Sequence, residues 1–388
     1  MRLFWQEMKK IWRPGILIAV LILSGMFYYV CPLFYVESIV EAYSMAPINI
    51  LEELLQHCGP TVDRSELPIL QEIIDREKAV FAGFLAENPD AVKAGVTTWD
   101  ELEAYVEKSG DRTLQYWAQR RGKTNWWSIY YLEHFREQCE MVNERSQSDA
   151  YYFEKYPPQW QQRILELEEH WIEEGMPLLY VFDTGCIQLY FADYLPMSNI
   201  LCVILLLSPV LVRDRLRRMR SLQWSSRRGR KVLHTQLAAG FVSAGLLIAV
   251  NTAVYTAAML STGITVLWDC PLRGYNWFGW TLGEYIMVLI VLAALMGLAA
   301  AGLTLFLSHH SGNYVAMLFK AIILYLAVGR WFVTMMMEFS PFGTLWPYGL
   351  EEWIFIPPAA VPVCTGLLLA VSLGLCLWTC VRQKRREL

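Results

Sequence analysis

The stretch RDRLRRMRSLQWSSRRGRK, from Arg213 to Lys231, carries nine basic residues and a single acid, Asp214. Bases at that density bind anionic headgroups and fix the orientation of a membrane chain. Leu216, Met219, Leu222 and Trp224 add more, because their spacing predicts a short helix with an apolar edge, followed by a Ser and Gly turn. A helix of that kind can dock into a partner's groove. Catalytic signatures do not accompany it. The chain has no H-E-x-x-H, no C-x-x-C, no G-x-S-x-G elbow and no G-x-x-x-x-G-K-[ST] phosphate loop. His57, His134 and His170 share one region with Cys58 and Cys139, but without metal-ligand spacing, so the reading is no metal, no catalytic residue and no cofactor in this chain. If ATP and Mg drive the protein, a separate polypeptide binds them.

The elements that must position this stretch are membrane helices. Of 388 residues, 55% are hydrophobic and 18% charged, below the quarter or so of charged residues usual in soluble domains. Soluble and disordered classes are thereby excluded. Runs long enough to span roughly 30 Å of hydrocarbon occur six times: Pro14 to Val36, Leu189 to Val212, Val232 to Leu260, Thr281 to Leu307, Asn313 to Met337 and Pro358 to Val381. The second is the weakest, with Asp193, Pro196 and Asn199 in its first half. The first follows Arg2, Lys9, Lys10 and Arg13, as a signal peptide would. It exceeds the roughly 7 to 15 apolar residues of a signal h-region, so an uncleaved anchor is expected. The tail before Pro14, the loop 213–231 and the tail after Val381 hold seventeen Lys and Arg, against one, Arg273, in the short opposite loops. The positive-inside rule then places both termini in the cytoplasm.

Between the first two spans, residues 37–187 hold 28 acids against 13 bases, enough chain for one acidic extracytoplasmic domain. Its pattern is helical. Asn49 to Gln56 and Ser65 to Glu87 place apolar residues at three and four residue intervals, broken by Gly59-Pro60. Thr98 and Glu101 form a capping-box signature for a helix ending at Gly110. Arg112 to Asn143 and Gln159 to Glu174 predict two further amphipathic helices, and no strand pattern of similar strength occurs. Trp117, Trp126, Trp127, Tyr130 and Tyr131 predict a packed aromatic core near the membrane, the alternative being a binding surface for an apolar ligand. Cys58, Cys139, Cys186 and Cys270 fall outside by this topology, where three disulfide pairings are open, as is none at all.

Ionisable residues within spans are costly and often functional. Snorkelling is the expectation for Lys320 and Glu284, and an Asp193 to Arg330 pair is considered by depth. Ala293, Gly297 and Ala301, with Gly240 and Ala244, predict close helix packing.

On these residues the chain resembles the permease subunits of type-2 exporters among the ATP-binding-cassette transporters. Asp214, then Ser221-Leu222 through Ser225, Arg228, Gly229 and Arg230, are similar to the acid, Leu-Ser and Gly-Arg pattern that this family carries before its third span; the family's usual Gly-Thr ahead of the Leu-rich part is absent, with Arg217 and Arg218 standing nearby instead. Gln236 occupies a commonly basic position entering that span. The family's N-terminal interfacial helix is similar to residues 1–13, with Leu3, Phe4, Met8, Ile11 and Trp12 as its buried side. FSPFGTLWPYGLEEWIFIPP, from Phe339 to Pro358, is similar to its re-entrant segment, the alternative being a simple loop with an aromatic belt.

The resemblance implies an all-α polytopic membrane protein with six transmembrane helices and a large, mainly helical extracytoplasmic domain between helices 1 and 2. It implies that Arg213, Asp214, Leu216, Arg217, Arg218 and the rest of the motif couple to a separate ATP-binding subunit. It also implies that two permeases, identical or not, pair in the plasma membrane to export an amphipathic substrate, without nucleic acid. The rival expectation is a sensor or mechanotransmitter whose outer domain acts on an extracytoplasmic partner.

Overall fold

The computed structural model describes residues 2–42, 45–121, 123–141, 161–162, 166, 175–182, 184–217, 232–272, 279–334 and 360–386. The fold is all-α and polytopic. Helix α1 (Arg2–Ile11) meets α2 (Pro14–Val30) at a 50° bend, since Pro14 cannot donate a backbone hydrogen bond and opens the second helix instead. Short α3 (Leu33–Val40) continues the chain after Pro32.

A lobe follows. Helices α4 (Ile48–Cys58), α5 (Leu67–Ala86), α6 (Pro89–Ala94), α7 (Trp99–Ser109), α8 (Thr113–Arg121) and α9 (Lys123–Met141) build it. The expected capping box is present: the Thr98 hydroxyl accepts from the Glu101 N–H at 3.3 Å, and Glu101 returns to the Thr98 N–H at 3.2 Å. Gly110, at φ 67°, closes α7 in the left-handed region. Residues 112–143, expected as one helix, divide into α8 and α9. The lobe also contains a two-residue antiparallel pair, β1 (Thr61–Val62) with β2 (Met176–Pro177), too short to show as alternation in the sequence. Of the predicted helix over 159–174, only residues 161, 162 and 166 are described, and these are helical.

The membrane portion begins with α10 (Thr184–Gln188), which runs through a π-helical turn (Leu189–Tyr194) into α11 (Leu195–Leu216). Pro196 lacks the N–H that an α-helix would direct at the Ala192 carbonyl, and the wider turn lies just before it. Then come α12 (Val232–Leu260), α13 (Leu282–His309), α14 (Tyr314–Leu324) with its π-helical extension to Phe332, and α15 (Ala360–Arg386). Among the described residues, five helices are long and apolar enough to cross a bilayer. A sixth is reached if the bent α1–α2 pair counts as one span.

The second span, weakest by sequence, is the most enclosed, with 78% of its apolar window buried. Two of its polar residues, Ser198 and Asn199, are satisfied by α12: the Asn251 amide donates to Ser198 Oγ at 3.1 Å and to Asn199 Oδ1 at 2.9 Å. The small residues do what their spacing predicts. A Cβ on Gly240 would stand 2.8 Å from Leu305, and one on Gly297 2.8 Å from Ile248.

Among the described residues, three apolar cores result. One fills the far tip of the lobe around Phe81, Trp99, Leu102 and Trp126. A second runs unbroken from the lobe base, Leu51, Leu54, Ile74 and Phe135, into the bundle at Tyr190, Tyr255, Ile286 and Met296. The third fills the α1 end of the bundle around Met8, Ile11, Leu207 and Leu237.

Candidate functional site

The candidate site forms where α1, the end of α11 and the start of α12 meet, at the root of the basic stretch. Helix α1 is amphipathic, and it buries Met8 and Ile11 against the bundle. The Trp12 indole donates to Ser243 Oγ at 3.0 Å, which fixes α1 across α12. Of the residues expected on its buried side, Leu3 instead stays exposed.

Glu7 lies on the same buried face, with 2% of its surface exposed. A carboxylate reaches such a place only with partners, and it has two. Lys10 Nζ lies 2.6 Å from Glu7 Oε1, and Gln236 Nε2 donates to Glu7 Oε2 at 3.3 Å. The same amide donates to Asp214 Oδ2 at 2.6 Å, while Lys10 stands 3.6 Å from that oxygen. Arg213, also buried, donates to the Lys10 carbonyl at 2.8 Å. Two acids and two bases from α1 and α11 thus enclose one neutral amide from α12. Gln236 suits this position because Lys10 already supplies the local positive charge and a side-chain amide can donate to both carboxylates.

The next residue secures α13. Arg215 donates to the Ser311 carbonyl at 2.8 Å and to the His309 carbonyl at 2.6 Å, satisfying acceptors that a helix leaves open at its C-terminus. Ser308 Oγ donates to the Ser208 carbonyl at 2.8 Å and accepts from the Leu211 N–H at 3.2 Å, bracketing Pro209 inside α11. Lys320 reaches back to the same turn, 3.3 Å from the His310 carbonyl and 3.2 Å from Ser311 Oγ, in the snorkelling manner expected.

Past this root the character changes. Leu216 is 47% exposed although apolar, and Arg217 is exposed beside it. Arg218, Ser221, Leu222, Trp224, Ser225, Arg228, Gly229 and Arg230 lie outside the described residues, as does the segment 339–358.

The expected Asp193 to Arg330 pair is not among the ion pairs of the described residues. Arg330 is exposed and donates to Thr334, one turn further along its own helix, while Asp193 is buried within the π-helical turn. Glu284 caps α13 through Thr281.

Sequence reasoning had singled out Arg213 and Asp214 but missed Glu7, Lys10 and Gln236 as one group. The signal was present in α1, where an acid stands on the apolar face and a base follows at the third position.

Among the described residues, no group of three or more His, Cys, Asp and Glu side chains converges on a metal-sized site. Among the described residues, no disulfide joins any two cysteines. Burial raises the Cys58 thiol to about 11 and Cys139 to about 12, so neither lobe thiol is a ready nucleophile near neutral pH. No protein-family model, no curated protein and no solved structure matches the chain.

Proposed function

We propose that this chain is the membrane permease of an ATP-driven exporter, energised by a separate ATPase subunit that docks on the basic stretch after α11. The observation that carries this reading is the root of that stretch, Arg213 to Arg217. Its base is tied by charge and hydrogen bonds to three helices, and its first apolar residue, Leu216, is left exposed. A force applied beyond Leu216 would reach α1, α12 and α13 directly, through Lys10, Gln236 and the Arg215 cap. In this reading the α1 end faces the cytoplasm, the lobe lies outside, and paired permeases move an amphipathic substrate such as a lipid, peptide or antibiotic. The substrate class rests on the resemblance alone.

The test is co-purification from the native host. An ATPase is expected to accompany the wild-type chain and to be lost when Leu216, Leu222 and Trp224 are changed to Asp. Undiminished co-purification with that variant, or a wild-type chain that never brings an ATPase, would overturn the proposal.

A second reading, a mechanical transmitter acting through the lobe, is favoured by one feature: the core that runs from Leu51 and Phe135 to Met296 without a break. Transport of a labelled amphiphile by reconstituted vesicles separates the two, since a transmitter moves none.

A further inference from the structure

At the α1 end of the bundle, on its membrane-facing rim, four side chains from α13 and α15 form a ladder. The Phe306 and His310 rings lie 4.4 Å apart. His310 stacks on Trp378 with ring centres 6.1 Å apart and planes only 18° from parallel. The Arg382 guanidinium sits 5.1 Å over the Trp378 ring. Lys320 of α14 comes to the same place, its ammonium 3.3 Å from the His310 carbonyl. One cation, Arg382, therefore lies on the aromatic wall, and a second, Lys320, stands at the backbone of its middle residue, His310. Among the described residues, neither meets a carboxylate: the ion pairs of this end belong to Glu7, Lys10 and Asp214.

Ordinary snorkelling explains Lys320, which reaches the backbone at the end of α13, but not Arg382, which is held against a stacked aromatic pair. The wall is also continuous with exposed apolar surface. Leu377 and Val381 flank Trp378 on α15, and Val315, Leu318 and Phe319 precede Lys320 on α14, each more than half exposed. We propose that this rim seats one anionic phospholipid. Its phosphate would lie between Lys320 and Arg382, the glycerol region would rest on Trp378 and His310, and the acyl chains would follow the apolar faces of α14 and α15. The continuous apolar track selects a lipid over a free phosphate ion, which would need only the two cations.

The experiment uses the full chain reconstituted in an equal mixture of phosphatidylglycerol and phosphatidylcholine, extracted gently and weighed by native mass spectrometry. A bound phosphatidylglycerol is expected in excess over phosphatidylcholine. Lys320→Gln and Arg382→Gln should each weaken its retention about fivefold, the effect of about 1 kcal/mol per basic residue at a lipid surface. Lys93→Gln, an exposed change in the lobe, should leave retention unaltered. Both rim variants alter half-exposed or exposed side chains, and an unchanged elution profile and melting temperature show that they fold. Equal retention by wild type and the Lys320→Gln/Arg382→Gln double variant overturns the proposal. So does an equal loss of both lipids, or displacement of the lipid by inorganic phosphate, which would reveal a site for the ion alone. No ATPase enters the measurement, so its outcome is independent of the transport reading.

Discussion

The two ends of the bundle are joined by different physics. At the α1 end, Glu7, Lys10, Arg213, Asp214 and Gln236 hold three helices through charge and directed hydrogen bonds. At the lobe end, Tyr28, Tyr190 and Tyr255 pack with ring centres 5.1 to 6.5 Å apart, and the Tyr190 hydroxyl donates to the Tyr255 carbonyl at 3.0 Å. Close-packed apolar joints transmit displacement because they have few alternative arrangements. Polar joints near a membrane surface can exchange partners, with water or a docking protein supplying the replacements. The contrast assigns rearrangement to the α1 end and rigid coupling to the lobe end.

The strongest way to break that comparison is at Tyr190, which is fully buried in the shared core. Tyr190→Ala should cost about 3–5 kcal/mol, as truncation of large core aromatics does. If the lobe end is one rigid unit, the loss should also loosen the lobe. Cys139 provides the readout, since it is buried and its thiol is raised to about 12. Alkylation of Cys139 should accelerate in the variant. Unchanged labelling together with a lowered melting temperature would show that lobe and bundle unfold separately.

Lys10→Met sharpens the other half. Glu7 and Asp214 would then share only the Gln236 amide, two buried carboxylates without their common cation. Removing one partner of a fully buried pair costs about 3–5 kcal/mol. The Lys10 side chain is 27% exposed, so a smaller loss of about 1–3 kcal/mol is expected, with water compensating in part. Thermal unfolding of the purified chain measures it, and Cys139 labelling should not change. A variant as stable as the wild type would remove the cluster as a structural joint.

These expectations also show which features the sequence makes legible. Helix type, the spans from Val232 onward, the Thr98 cap and the close approaches at Gly240 and Gly297 are local properties, written in periodicity, hydropathy or residue size. The enclosure of the second span was obscured because Asp193, Pro196 and Asn199 lower its apparent hydropathy; Asn199 has its partner in Asn251, fifty-two positions away. The break between α8 and α9 lies in a polar run from Gln119 to Asn125 that contains Gly122, a breaker signal that the single-helix reading of 112–143 passed over. Glu7 and Gln236 are separated by 229 positions, and no spacing rule relates them.

The smallest expected effect concerns a lobe surface, where charge should matter least. Arg76 donates to both oxygens of Glu53, at 2.7 and 2.8 Å, linking α4 to α5. This two-pronged bond holds the Glu53 carboxyl below the usual range. A lowered folded-state pKa means that the unfolded chain binds the proton more readily. The pair therefore stabilises the lobe above the ordinary glutamate pKa of about 4.3, and that contribution disappears as pH falls through the folded value. The side chains are 48% and 34% exposed, so solvent screening keeps the contribution under about 1 kcal/mol. Glu53→Gln should lower the melting temperature slightly at pH 7, with the difference from wild type vanishing in acid. A difference that persisted undiminished below the folded pKa would mean that Glu53 acts through packing between α4 and α5, and the lobe surface would then resemble the apolar joint beneath it more than the polar joint at the opposite end.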